Sequence, residues 1–170
     1  FNTIIDGEHI LHNKKKQFIN LYAAFDIYYI KNEDVRTLPF IEIASGETNR
    51  LQLLTSVIKE LNENAKSVVN GNPSPLDIIA KTFYSGGIGS IFGGCNTIIT
   101  KEREGNYDYE TDGLIFTPSF LGVGSDSVGK TTKPIKSTWD YSFKWKPVEF
   151  NTIDFLVEIE KDDDGKDTIG

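Results

Sequence analysis

Residues 18–30, FINLYAAFDIYYI, constrain the fold more than any other stretch. β-Branched and aromatic residues dominate it, and alternation divides it in two. Ile19, Leu21, Ala23, Phe25, Ile27 and Tyr29 fall on one face; Asn20, Tyr22, Ala24, Asp26 and Tyr28 fall on the other. Such a run needs a neighbouring strand for its backbone groups. Residues 3–12, TIIDGEHILH, have the same character and are separated from it by the basic turn NKKKQ, which predicts a β-hairpin. KNED (31–34) then turns the chain.

Helix is predicted next. Leu51, Leu54, Ile58, Leu61, Ala65 and Val68 recur at steps of three and four, with Gly71 and Pro73 as a stop, giving a helix over 47–70. A second helix is expected over 74–84, opened by Ser74 and Pro75 and carrying Leu76, Ile79, Ala80 and Phe83 inward. The glycine-rich SGGIGSIFGG (85–94) reads as a connector. Strands follow at 96–100, 112–118, 139–147 and 152–160, with DDDG as a hairpin turn.

A chain of 170 residues with 38% apolar and 12% aromatic residues supports one compact domain. No run reaches the roughly 18 apolar residues of a membrane span, and no membrane partner is expected. The absence of methionine and a first residue, Phe1, inside a strand-like pattern lead us to expect part of a longer polypeptide. Cys95 is the sole cysteine and is read as structural. The net charge of −7 argues against a general nucleic-acid coat. Its distribution is uneven: lysines 130, 133, 136, 144 and 146 form a basic stretch, whereas 154–167 is acidic.

Residues 124–131, GSDSVGKT, satisfy the phosphate-loop pattern G-x-x-x-x-G-K-[ST]. A working P-loop leads into a helix whose N-terminal amides face the phosphates. Here Pro134 and a β-branched, polar stretch follow, so the match is read as a loop between two strands.

Those strands carry better candidates. In YSFKWKP, Tyr141, Phe143 and Trp145 alternate with Ser142, Lys144 and Lys146, which sets two ammonium groups roughly 7 Å apart along one face. An anion between them relieves their repulsion. DGE (6–8) and TDGLIF (111–116) each place a carboxylate beside a glycine at an apolar strand, where Glu8 and Asp112 can hold Mg²⁺ or ribose hydroxyls. His9 and His12 are too far apart in facing for a metal pair, and Trp139 and Trp145 are expected to anchor the core.

In this order the segments resemble four motifs of the covalent nucleotidyltransferases, which comprise mRNA capping guanylyltransferases and ATP-dependent ligases. IIDGEHI (4–10) is similar to the third motif, AFDIYYIKNEDVR (24–36) to motif IIIa, TDGLIFTP (111–118) to the fourth and FKWKP (143–147) to the fifth. The likeness runs from Thr3 to about Val157, and DGLIF pulls it toward capping enzymes, closest to those of large DNA viruses.

The resemblance implies an α+β fold: antiparallel β-sheets lining a nucleotide cleft with flanking helices, the nucleotidyltransferase or ATP-grasp-like ligase core, without an OB-fold. It implies that Glu8 binds ribose or metal, Phe25 stacks on guanine, and Asp112 serves metal and nucleophile. Lys144 and Lys146 then hold the α-phosphate. The implied reaction is GMP transfer from GTP through a lysyl-GMP intermediate to diphosphate-ended RNA, with Mg²⁺ or Mn²⁺. Fused or associated triphosphatase and methyltransferase domains, and a location in host cytoplasm or virion, go with that reading. The nucleophile motif K-x-D-G is absent from the 170 residues, where ETDG (110–113) has glutamate in the lysine position. The chain is therefore expected to cover motifs III to V, without the nucleophile motif or the OB-fold. An ATP-dependent ligase fragment, and an inactive domain that binds nucleotide, RNA or protein, remain open alternatives.

Overall fold

The computed structural model describes residues 2–64, 68–69, 72–73, 75–85, 90–130, 139–155 and 159–167. In chain order they form β1 (Ile4–His12), β2 (Phe18–Ile30), β3 (Glu33–Asp34), α1 (Arg50–Asn64), β4 (Val68–Val69) and β5 (Asn72–Pro73). Then come β6 (Asp77–Ala80), α2 (Ser90–Arg103), β7 (Leu114–Phe116), β8 (Phe143–Trp145) and a 3₁₀ turn, Val148–Phe150.

The hairpin of β1 and β2 forms as the alternation predicts, and local chemistry fixes its turn. Asn13 Oδ1 accepts from the backbone N–H of Lys15 and of Gln17, each at 2.9 Å, and Lys16 takes the left-handed conformation, φ 61°. β2 lies at the centre of a four-stranded sheet. It pairs antiparallel with β1 and β3, and parallel with β6 along Leu21–Ala24. Register shifts at Ile4/Ile5 and Asp6/Gly7 interrupt the β1–β2 ladder. Each adds one residue to β2, so strict alternation breaks and Ala24 joins Ile27 in the core instead of facing away from it.

α1 covers this sheet. Asn49 caps it: its Oδ1 accepts from the N–H of Gln52 at 2.9 Å, a contact that contributes about 1 kcal/mol. Leu54 and Ile58 pack with Ala24, Ile27 and Val35, and Tyr22, Ile78 and Ala80 close around them. Burial of Leu54 is complete, so truncating it to alanine costs about 2–5 kcal/mol.

Several local expectations are corrected. The first helix ends at Asn64 rather than running to 70, and Val68–Val69 pair with β5 instead, as β-branched residues favour. The helix expected over 74–84 does not form among its described residues, 75–84; Asp77–Ala80 is β6, with Ile78 and Ala80 turned to the core and Leu76 and Ile79 exposed. A four-residue apolar run fits either element, and the open edge of β2 decides for strand. The large sheet is accordingly mixed rather than wholly antiparallel.

Residues 90–94 of the glycine connector and the strand expected at 96–100 belong instead to α2. It is stabilised by Lys101 and Arg103 in its last turn and ends on Gly105, φ +73°. There the N–H of Gly105 donates to Glu102 O and that of Asn106 to Lys101 O, both at 2.9 Å, closing the helix on a Schellman motif. Residues 152–155 and 159–160 form no strand. The DDDG turn does form: Lys161 bridges to Asp167 across it, and Asp162 Oδ1 accepts from the N–H of Lys166 at 2.8 Å.

Candidate functional site

A cleft of about 1170 Å³ opens between the large sheet, α2 and β7. Two glycines of the quoted motifs shape it. A Cβ at Gly7 would lie 2.6 Å from the Tyr22 ring, so β1 packs closely on β2 beside Glu8 only because residue 7 is glycine. Gly113 adopts φ +137°, and a Cβ there would collide with the carbonyl oxygen of Trp145. That close approach allows β7 to pair with β8 in the register Leu114↔Trp145, Ile115↔Lys144, Phe116↔Phe143.

Glu8, Phe25 and Asp112, residues from β1, β2 and the approach to β7, all line this cleft. Lys144 and Lys146 do not line it; they stand on and just beyond β8, next to Asp112. Lys146 Nζ lies 2.7 Å from Asp112 Oδ2. Its hydrogen bond, then its charge and that of Lys144, hold the Asp112 carboxyl below the usual carboxylate range. The two lysines therefore form a cationic edge anchored on Asp112.

Sequence reasoning missed Lys81. It falls within the helix expected over 74–84 but instead extends the β6 pairing, its N–H donating to Ala24 O at 2.8 Å. That places its side chain in the cleft, with Nζ 2.9 Å from Glu8 Oε2 and 5.8 Å from the centroid of the Phe25 ring. The two carboxylates of the predicted site thus have separate cation partners, Lys81 for Glu8 and Lys146 for Asp112. Tyr109 was also missed; it is half-buried nearby, and burial, with the charge of Glu8, raises its pKa.

Among the described residues the lining carries Glu8, Asp77, Glu102, Asp108, Glu110 and Asp112 against a single ammonium, Lys81. An anionic ligand therefore needs cations beyond the lining, or a metal, to receive its charge. Among the described residues no group of three or more His, Cys, Asp or Glu side chains is assembled for a metal ion. Mg²⁺ is commonly held by one or two carboxylates together with substrate phosphates, and Glu8 and Asp112 are the carboxylates expected to serve it.

The remaining candidates have structural partners. His9 Nε2 lies 2.8 Å from Asn20 Oδ1, and His12 packs edge-on against Phe18, so the two do not form a pair. Trp139 donates from Nε1 to Ser125 O at 3.0 Å. Trp145 is 47% exposed, and Phe143 60%, so Trp145 is not a core anchor; among the described residues β8 has a single neighbouring strand, β7. In GSDSVGKT, residues 124–130 fall between β7 and β8 and fold back on Leu121, which bridges to Val128 and Gly129. The segment after it, 131–138, where a P-loop helix would begin, lies outside the described residues.

Comparison with known proteins identifies capping enzymes as relatives. The chain is 26% identical over 166 residues to an mRNA-capping enzyme of Mus musculus, covering 94% of this chain and 23% of that protein. It is 24% identical over 161 residues to an mRNA-capping enzyme of Danio rerio, with the same coverage. A third, from Caenorhabditis elegans, is 35% identical over 72 residues, 39% of this chain and 12% of that protein. The chain thus spans about a quarter of the length of the relatives it matches along most of its own. No family model and no solved structure matches. These similarities relate the chain to mRNA-capping enzymes, and hence to a transferase type of enzyme.

Proposed function

We propose that the chain is the nucleotide-holding part of an mRNA guanylyltransferase, with a nucleotidyltransferase fold, and that its cleft binds GTP. One observation carries the reading. Glu8, Phe25 and Asp112, separated by up to 104 positions in sequence, line one cleft in a chain whose relatives are capping enzymes.

The guanine stacks on Phe25, where Lys81 stands beside the ring. An ammonium only donates, so it favours a base edge that accepts, the guanine carbonyl, over the amino group that adenine presents in the same place. Glu8, already oriented by Lys81, accepts from the ribose hydroxyls. The α-phosphate lies toward Lys144 and Lys146, whose charges neutralise what develops there during transfer. Asp112 holds Mg²⁺ together with phosphate oxygens; when bound, the ion supplies further charge neutralisation.

The nucleophile is assigned to a lysine of a K-x-D-G that the 170 residues do not contain. It attacks the α-phosphorus, pyrophosphate leaves, and lysyl-GMP passes its nucleotide to the terminal diphosphate of RNA. The residues of this chain bind and orient; they do not form the covalent bond.

Incubating the intact protein with α-labelled GTP or ATP tests the reading. A covalent label from GTP, reduced by orders of magnitude in Lys144→Ala, is expected. A label from ATP alone would instead indicate ligase chemistry, and unchanged labelling of the variant would remove the phosphate role of Lys144.

A further inference from the structure

At about 1170 Å³ the cleft exceeds the roughly 300–1,000 Å³ usual for one small ligand. Glu8, Phe25, Lys81 and Asp112 furnish only one side of it. The other side is α2 and the chain that follows.

On α2, Ile91, Cys95, Ile98 and Glu102 recur at steps of four, three and four, so they form a single stripe, and all four line the cleft. No residue of the helix is buried. Its apolar stripe therefore faces open space, where a ligand can use it. Tyr84 and Tyr107 continue the wall.

Lys101 supplies a charge beside these rings. Its Nζ donates to Tyr84 Oη at 2.6 Å and lies 5.3 Å from that ring's centroid, and Tyr107 is near enough to act on it electrostatically. Among the described residues it has no carboxylate partner within ion-pair distance. Glu102, the nearest acid in sequence, accepts instead from Thr111 Oγ1 at 2.5 Å. Past Tyr107 the wall meets the β1–β2 turn, where the N–H of Lys14 donates to Asp108 O at 2.7 Å. Lys14, Lys15 and Lys16 are thereby brought to the rim. Aromatic faces interleaved with ammonium groups along one track are what single-stranded nucleic acid binds.

We infer that the α2 wall is a second subsite, which takes the terminal nucleoside of a single-stranded nucleic acid against Ile98 and Tyr107 with a phosphate on Lys101. The strand leaves over the lysine turn. The inference rests on the proposed function in one respect: the strand is the acceptor of the transferred nucleotide.

The test measures fluorescence anisotropy of a 3′-labelled oligoribonucleotide with a 5′-diphosphate, added to the intact protein with and without a GTP analogue blocked at the α,β bridge. Lys101→Gln and Tyr107→Ala are each expected to weaken the oligonucleotide by about tenfold or more, with affinity for the analogue unchanged. Tyr107→Phe keeps the ring and should bind as the wild type does. Oligonucleotide and analogue should bind together. Unchanged oligonucleotide affinity in Lys101→Gln would overturn the subsite, and so would competitive displacement by the analogue. If the wild type binds oligonucleotide but no analogue, the GTP reading fails while the subsite stands.

Discussion

The guanidinium of Arg50 forks onto Asp26, with Nε 2.8 Å from Oδ1 and Nη2 3.1 Å from Oδ2, and Arg50 is wholly buried. Its Nη1 also donates to Leu38 O and, at 3.1 Å, to Leu121 O. β7 and β8 share no strand pairing with the large sheet. The chain leaving β7 is instead held to it by Arg50, by Ile41 N–H to Ser119 O at 2.9 Å, and by Val123 N–H to Arg36 O at 2.8 Å. This joint sets β7 and β8 against the strands that carry Glu8 and Phe25.

Arg50→Met should cost about 3–5 kcal/mol in urea unfolding at neutral pH, because Asp26 is left buried and unpaired. The loss should shrink on acidification. Burial already raises the Asp26 carboxyl above 3.8, partly offset by Arg50; without Arg50 it rises further, so the folded state keeps its proton where the unfolded state has lost one. Stability is then retained at low pH and falls as pH rises through that window. A loss independent of pH would contradict this role for the pair.

Gly113→Ala should separate β8 from β7, since its Cβ meets the Trp145 carbonyl and φ is positive. The expected cost exceeds about 1 kcal/mol. Amide hydrogen exchange at residues 114–116 and 143–145 should accelerate while β1 and β2 stay protected; uniform exchange across both sheets would argue against a local effect.

The Asp112 carboxyl should titrate below the ordinary 3.8 when followed by NMR, with its Lys146 partner the main cause. A lowered carboxyl pKa means that the ion pair is complete above the unfolded value and is lost only as pH falls through the folded one. Lys146→Ala should return the titration toward the ordinary range, and an unmoved midpoint would show that the pair is absent in solution.

Lys81→Met should narrow the preference for GTP over ATP by about tenfold or more, the value of a hydrogen bond to a charged donor. Equal losses for both nucleotides would mean that Lys81 serves the cleft only by orienting Glu8.

How much of this was legible depended on how far each segment decides its own structure. The β1–β2 hairpin and the Leu54–Ile58 stripe carry long alternation or strong periodicity, and they form where expected; β7 and β8 form inside the strands expected at 112–118 and 139–147 but are only three residues each. Asp77–Ala80 does not decide for itself: the edge of β2 selects strand, and that choice brings Lys81 into the site. α2 was hidden by glycines and by NTIIT, although the Ile91–Cys95–Ile98–Glu102 spacing and Gly105 were signals for it. Glu8, Phe25 and Asp112 were singled out through their motifs, and the cleft they share required tertiary contacts. Arg50 could not be found from spacing, because its partners lie at positions 26, 38 and 121.

The central claim is that residues of the two sheets serve a single nucleotide, and NMR titration of the protein with GTP and Mg²⁺ tests it most directly. Resonances of Glu8, Phe25 and Lys81 should shift together with those of Asp112, Lys144 and Lys146, all along one binding isotherm. Shifts confined to one of the two groups, or two groups saturating at different concentrations, would contradict it.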